Sequence, residues 1–165
     1  MKYDGLLSTF PSEIKIFIAA FVVILSIGFY TGLLFVNETS ESSLVGIEEN
    51  YLGNEADEDA EIMKFKKSER QMLTIVHTHI LSMSLVFFLL GILVWLTKLP
   101  KRVKLFLTVE PFVSVVLTFG GIYLLWNGML WMKYVVVFSG MLMTLTFSIS
   151  TIIIFYQLTQ NKNLQ

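Results

Sequence analysis

The sequence predicts an all-α integral membrane protein, an up-down four-helix transmembrane bundle with both termini in the cytoplasm. Three observations carry that reading. Hydrophobic residues fill 55% of the 165 positions and charged residues only 15%, against about 25% charged in a soluble domain. Four stretches are long and apolar enough to cross a hydrocarbon core of about 30 Å, which takes roughly 20 residues of helix. The connections between the last three are short, which makes those helices antiparallel neighbours. The whole chain, 1–165, then reads as a single membrane domain.

The first span, 16–36, has no charged residue. It reads as an anchor rather than a secretory signal, because its apolar run exceeds the roughly 7–15 residues of a signal core and no small-residue cleavage pattern follows. Within it lies Gly28-Phe-Tyr-Thr-Gly32. Small residues four apart let two helix backbones approach closely, which serves either packing of the bundle or a homodimer seam.

An extracytoplasmic acidic loop, 37–74, follows and holds ten of the thirteen acids. Asn37–Asn54 is rich in Ser, Glu, Asn and Gly, the composition of a solvated connection. The run Glu55-Ala-Asp-Glu-Asp-Ala-Glu61 lacks the glycine and distal Glu spacing of an EF-hand. It reads as a solvated stretch or as a docking patch for a basic partner. Residues 62–73 mix apolar and cationic side chains, as in a segment lying along the outer interface.

The second span, 75–97, is uncharged apart from His77 and His79, and the third, 105–126, contains Glu110 followed by Pro111. Between them Lys98-Leu-Pro-Lys-Arg-Val-Lys104 carries four cations and no acid, which places this connection inside. Lys2, Lys15 and Lys162 then lie inside as well. A tight Asn127-Gly128 turn leads to the fourth span, 134–156, where Gly140, Thr144 and Ser148 form one stripe with Ser139 and Thr151 nearby. Trp126, Trp131, Tyr123 and Tyr134 around the outer turn, and Trp95 near the inner end, fit aromatic interface belts.

Several classes of chemistry are excluded by composition. A net charge of −1 gives no basic field for nucleic acid. Without cysteine there are no disulfides, iron–sulfur clusters, thiolate zinc sites or cysteine nucleophiles. No phosphate loop, nucleophile–base–acid triad or paired intramembrane carboxylates occur, so the chain reads as an electron carrier or accessory subunit rather than a stand-alone enzyme.

The candidate site residues are His77, His79, Met83, Met141 and Glu110. An ionisable residue inside a span is a functional candidate by default. His77 and His79 lie roughly 3 and 6 Å below the start of their span, where hydrogen bonds to water, headgroups or the acidic loop also explain them. As ligands they suit haem b, but residues two apart point about 200° away from each other and cannot clamp one haem. Within one subunit a methionine must complete the pair. Met141 sits about 10 Å below the outer end of its span, whereas Met83 lies one turn below His79 on the same face. Alternatively, two subunits each donate a histidine. Copper is the other ligand-compatible choice, since thioether and imidazole ligands select Cu(I). Met63, Met72, Met129 and Met132 join the histidines near the outer surface. A protein with no cofactor is equally compatible with the residues.

A histidine pair entering a helical membrane bundle resembles, in general form, the membrane b-type cytochromes. Those offer histidines on two facing helices, where this chain has one such helix. Glu110 has two readings as well. It pairs with Lys98, Lys101, Arg102 or Lys104, or it carries protons or binds a quinol hydroxyl.

Three functions are therefore expected. In the first, haem b or a metal bound through His77 and His79 moves electrons between membrane quinol and a periplasmic partner in the bacterial inner membrane, with the acidic loop docking a basic cytochrome. In the second, the chain is a non-catalytic structural or assembly subunit of a larger membrane complex. In the third, it is a small transporter or channel.

Overall fold

The computed structural model describes residues 4–41, 43–55 and 62–160. These residues form helices and connections, with no strand among them. Four rods are long and apolar enough to span a membrane. They are α1 (Ser12–Ser40), α3 (Glu69–Leu96), a composite of α4 (Lys101–Val115) and α5 (Gly121–Trp126), and α6 (Met132–Leu158). A π-helical turn, Val116–Gly120, joins α4 to α5, and the short α2 (Leu44–Leu52) lies between α1 and α3.

The rods α1 and α6 run past their apolar stretches at both ends, and α3 runs past its own at the start, where it is capped. The second spanning helix, α3, starts at Glu69 rather than Ile75. Ser68 accepts a hydrogen bond from the Gln71 N–H while the Gln71 side chain accepts from the Ser68 N–H, a reciprocal cap that satisfies two end donors.

Polar ties sort the connections to two ends. At one end Lys104 Nζ donates to Asp4 Oδ1 at 2.6 Å and to the Trp95 carbonyl at 3.0 Å. Lys15 Nζ donates to the Gln160 carbonyl at 2.8 Å, and the Lys98 N–H to Gln157 Oε1 at 2.7 Å. Asp4 and Gln157 thus lie with the cationic 98–104 connection. At the opposite end Lys133 meets Glu48 at 2.7 Å, and Trp126 Nε1 donates to the Lys67 carbonyl at 2.8 Å.

The segment expected to be a solvated connection, 37–54, is largely helical. The helix α1 continues to Ser40, and Ser43 caps α2 by accepting from the Gly46 N–H at 2.9 Å. The physical reason is Ile47, an apolar side chain in a polar stretch, which α2 buries as it packs on α5 and α6. Gly53 then turns the chain at φ +81°, where a Cβ would sit 2.6 Å from the Lys66 backbone nitrogen. Only glycine fits that close, left-handed corner.

The centre of the bundle is aromatic. Phe147 of α6 is fully buried, with the Phe29 ring stacked on it at 3.9 Å and the Phe87 ring edge-on at 6.2 Å. Lipid removes the hydrophobic drive between helices, so close packing and interhelical hydrogen bonds must hold them. Thr118 and Ser139 supply one such bond at 2.7 Å. Gly121 lets α5 approach α6, because a Cβ there would lie 2.9 Å from Val136 Cγ2. The glycines expected to pack the bundle do not: a Cβ at Gly28, Gly32 or Gly140 would meet nothing within 4 Å. The side of α1 that touches the core carries Ile18, Val22 and Phe29 instead.

Candidate functional site

Two places hold the side chains that carry chemistry: the first half of α3, from Glu69, and the first half of α4, from Lys101. On α3, His77 and His79 are both exposed. His79 Nδ1 lies 2.7 Å from the Ile75 carbonyl, and its ring stacks on Phe119 at 4.7 Å. His77 has no hydrogen-bond partner among the described residues. Met83 is half-buried against the core, whereas Met141 is 64% exposed on the outside of α6. No group of three or more His, Asp or Glu gathers among the described residues. Among the described residues, therefore, both imidazoles lie open at the surface and no carboxylate cluster is brought to them.

The same helix carries a feature that its two histidines obscured. Arg70, Thr74, Thr78 and Ser82 recur every four residues, and all four are exposed. Ser82 lies about 10 Å below Ile75, where the apolar stretch begins. Thr74 and Ser82 return their hydroxyls to backbone carbonyls, of Arg70 at 2.8 Å and His79 at 3.4 Å. Thr78 has no partner among the described residues. Deeper on the same face the exposed residues become apolar: Leu85, Leu89 and Ile92. Counting in fours from Arg70 would have found this row in the sequence.

Above it lies a shallow cleft of about 310 Å³ lined by Lys67, Arg70, Gln71, Thr74 and Ile75. Lys66 Nζ sits 5.2 Å from the Trp126 ring, and Lys67 Nζ sits 5.9 Å from that of Tyr51. Of the acidic run, Glu55 accepts from the Lys66 N–H at 3.1 Å, while residues 56–61 lie outside those described.

On α4, Glu110 does not make the expected ion pair with Lys98, Lys101, Arg102 or Lys104. Lys104, the cation nearest in sequence, is 1% exposed and is held by Asp4 and the Trp95 carbonyl. The hydrogen bond from Lys104 in turn keeps the Asp4 carboxyl below its ordinary value. The other three cations are exposed at the helix end. Glu110 Oε1 instead accepts from Ser114 Oγ, one turn deeper. Oε2 is buried and has no hydrogen-bond partner. Pro111, within the same turn, has no N–H, so the Leu107 carbonyl loses its helical donor. Ser114 was readable as a partner from its i+4 spacing; the Asp4–Lys104 pair, a hundred residues apart, was not.

Four apolar helices of membrane-crossing length define an integral, multi-pass membrane protein. Residues 41–165 match the family model Aq_1264_TM, described as a transmembrane helical domain, and the chain belongs to that family. The match begins just after α1 and takes in the other three rods. No curated protein and no solved structure matches the chain.

Proposed function

We propose that the protein is a non-catalytic subunit of a larger membrane assembly, docked through the outer half of α3. The observation that carries this reading is the exposed polar row Arg70, Thr74, Thr78 and Ser82, which reaches about 10 Å into the apolar depth of the helix. Polar groups facing hydrocarbon are unfavourable unless they are hydrogen-bonded, and serine, threonine and histidine side chains join membrane helices by bonding across them. A neighbouring helix bearing hydroxyl, amide or carboxyl groups supplies the partners that Thr78 and His77 lack. Four cations in the short 98–104 connection support a cytoplasmic setting for that end and for both termini. Helical spans rather than a β-barrel suit a bacterial inner membrane.

Photo-crosslinking in native membranes tests the docking face. A benzophenone side chain at Thr78 should give one discrete protein adduct, while the same group at Leu89 gives none. Adducts of equal yield at both positions, or at neither, contradict the reading.

A second reading, in which haem b or copper bound at His79 carries electrons from quinol to a periplasmic partner, is favoured by one bond. Ligating histidines hold their second ring nitrogen on a carbonyl or carboxylate, which fixes the tautomer. His79 Nδ1 is so placed, at the Ile75 carbonyl, leaving Nε2 for a metal. On this reading a second copy of the chain brings the opposing ligand, because Met141 is exposed on the surface of α6 and Met83 lies one turn from His79 on the same helix. An oxidised-minus-reduced spectrum with metal analysis of the purified protein decides it. A Soret band or stoichiometric copper that a His77→Ala/His79→Ala variant loses supports ligation; a colourless, metal-free protein ends it.

A further inference from the structure

Glu110 is the only carboxylate within the apolar stretches of the four spans, and its surroundings restrict what it can hold. It lies nine residues into α4, about 13 Å along the helix from the inner end. The helices packed on α4 there, α3 and α6, have no charged or titratable residue over 80–96 and 135–155. Tyr30 of α1 bonds instead to Ser148 at 2.8 Å. On α4 itself the one cation turned inward, Lys104, is bound to Asp4. Glu110 therefore has no countercharge among the described residues. An uncompensated carboxylate taken from water into an apolar medium carries a penalty far above that of any single hydrogen bond.

Three explanations remain for a carboxyl in that position: a metal cation, an unpaired charge or a proton. Hard cations take about six or more oxygen ligands. The oxygens found here are the two of Glu110 and the Ser114 hydroxyl, with the Leu107 carbonyl freed by Pro111 one turn below. That set is too sparse for a metal and sufficient for a proton. On protonation the Ser114 hydrogen bond reverses, Oε1 donating to Ser114 Oγ, and Oε2 is left as a carbonyl oxygen. A neutral carbonyl without a donor is the least demanding of the orphan states available to Glu110 Oε2.

We propose that the Glu110–Ser114 pair is a proton-binding site within the membrane, at which the Glu110 carboxyl takes up and releases a single proton. Only one O–H bond forms or breaks, and the proton exchanges with water at the inner end. Pro111 lies between the two residues within α4, and the π-helical turn Val116–Gly120 follows them; π-helical turns are frequent at functional sites.

Dicyclohexylcarbodiimide, an apolar reagent that reacts with protonated carboxyls in apolar surroundings, tests the proposal by mass rather than by activity. The full-length protein in lipid nanodiscs is treated over a pH series and mapped by peptide mass spectrometry. The expected result is one adduct at Glu110, falling about tenfold per pH unit above its midpoint, and absent in Glu110→Gln. Ser114→Ala should retain the adduct but shift the midpoint, which a purely structural serine would not do. Labelling of Glu110 by a water-soluble carbodiimide in preference to the apolar one would show an ionised, hydrated carboxylate and overturn the proposal. Protection by sodium at constant pH would show a metal site and overturn it too. So would no adduct at Glu110 at any pH in protein that elutes as folded.

Discussion

In α1, 11% of the most apolar window is buried by the rest of the protein; in the α4–α5 rod the figure is 50%, and in α6 it is 39%. The helices differ in kind of contact as well as amount. The α4–α5 rod and α6 meet along a seam with a buried Thr118–Ser139 hydrogen bond and a glycine, Gly121, that closes the gap to Val136. By contrast α1 touches its neighbours through a few apolar side chains, one stacked ring pair, Phe29 on Phe147, and one hydroxyl pair, Tyr30 with Ser148. Its Gly28 and Gly32 face open space. The family match begins at residue 41, one residue beyond the end of α1 at Ser40. Thus α3, α4–α5 and α6 form the cohesive unit, and α1 is held on it at separate points: the aromatic stack in mid-membrane, α2 at one end and the Asp4 and Lys15 ties at the other.

That contrast can be broken most severely at Phe147, which belongs to both regions. Phe147→Ala should destabilise the whole protein by about 2–3 kcal/mol, the cavity share of the cost of truncating a large core ring. Phe29→Ala should leave the stability of the α3–α6 unit nearly unchanged and loosen α1 alone. Denaturant titration in detergent, with Trp fluorescence from Trp95 and Trp126 reporting the unit, separates the two. Equal losses from both variants would mean that α1 is integral to the core.

A smaller effect should appear at the end that holds Asp4 and Lys104, and it should depend on pH. The hydrogen bond from Lys104 lowers the folded-state value of Asp4 below its ordinary 3.8. A carboxylate lowered in the folded state adds stability above its unfolded value and loses it as pH falls through the folded value. The tie should therefore be fully present at neutral pH and fade below about pH 4. Asp4→Asn should remove that acid-dependent part from melting curves of the N-terminal attachment. A variant whose curves keep the same acid limb would assign the dependence to another group.

Least is expected of Tyr30→Phe, which deletes one interhelical hydroxyl bond worth about 0.6 kcal/mol in membrane proteins. A double-mutant cycle with Ser148→Ala sharpens the comparison, since a coupling well above 1 kcal/mol would give α1 a stronger hold on α6 than one ordinary hydroxyl bond.

Hydropathy alone was enough for the four spans, because the requirement for about 20 apolar residues leaves few alternatives. It was not enough for the helix ends. Ser68 and Gln71 carry α3 beyond Ile75 by capping, and α2 was hidden in a stretch whose Ser and Glu content spoke for a loop, although Ser43, Ile47 and Gly53 mark its start, its buried side and its stop. At the candidate sites the residue types were legible and their partners were not. Glu110 stood out as an intramembrane acid, but its freedom from Lys104 depends on Asp4, which the fold brings from a hundred residues away. His77 and His79 likewise stood out, while their open placement depends on which side of α3 the bundle covers. For Gly28 and Gly32 the spacing suggested close packing, but spacing carries no information about which face of α1 meets the core.

The absence of cysteine makes a direct test of the central contrast simple, because any cysteine introduced is unique. A fluorophore on Val23, on the exposed side of α1, and in a second sample on Ile152, on the exposed side of α6, report the two regions separately during heating in nanodiscs. The α1 probe should change at a clearly lower temperature, with the α6 probe following in a second transition. Coincident transitions at the two positions would show one cooperative four-helix unit and contradict it.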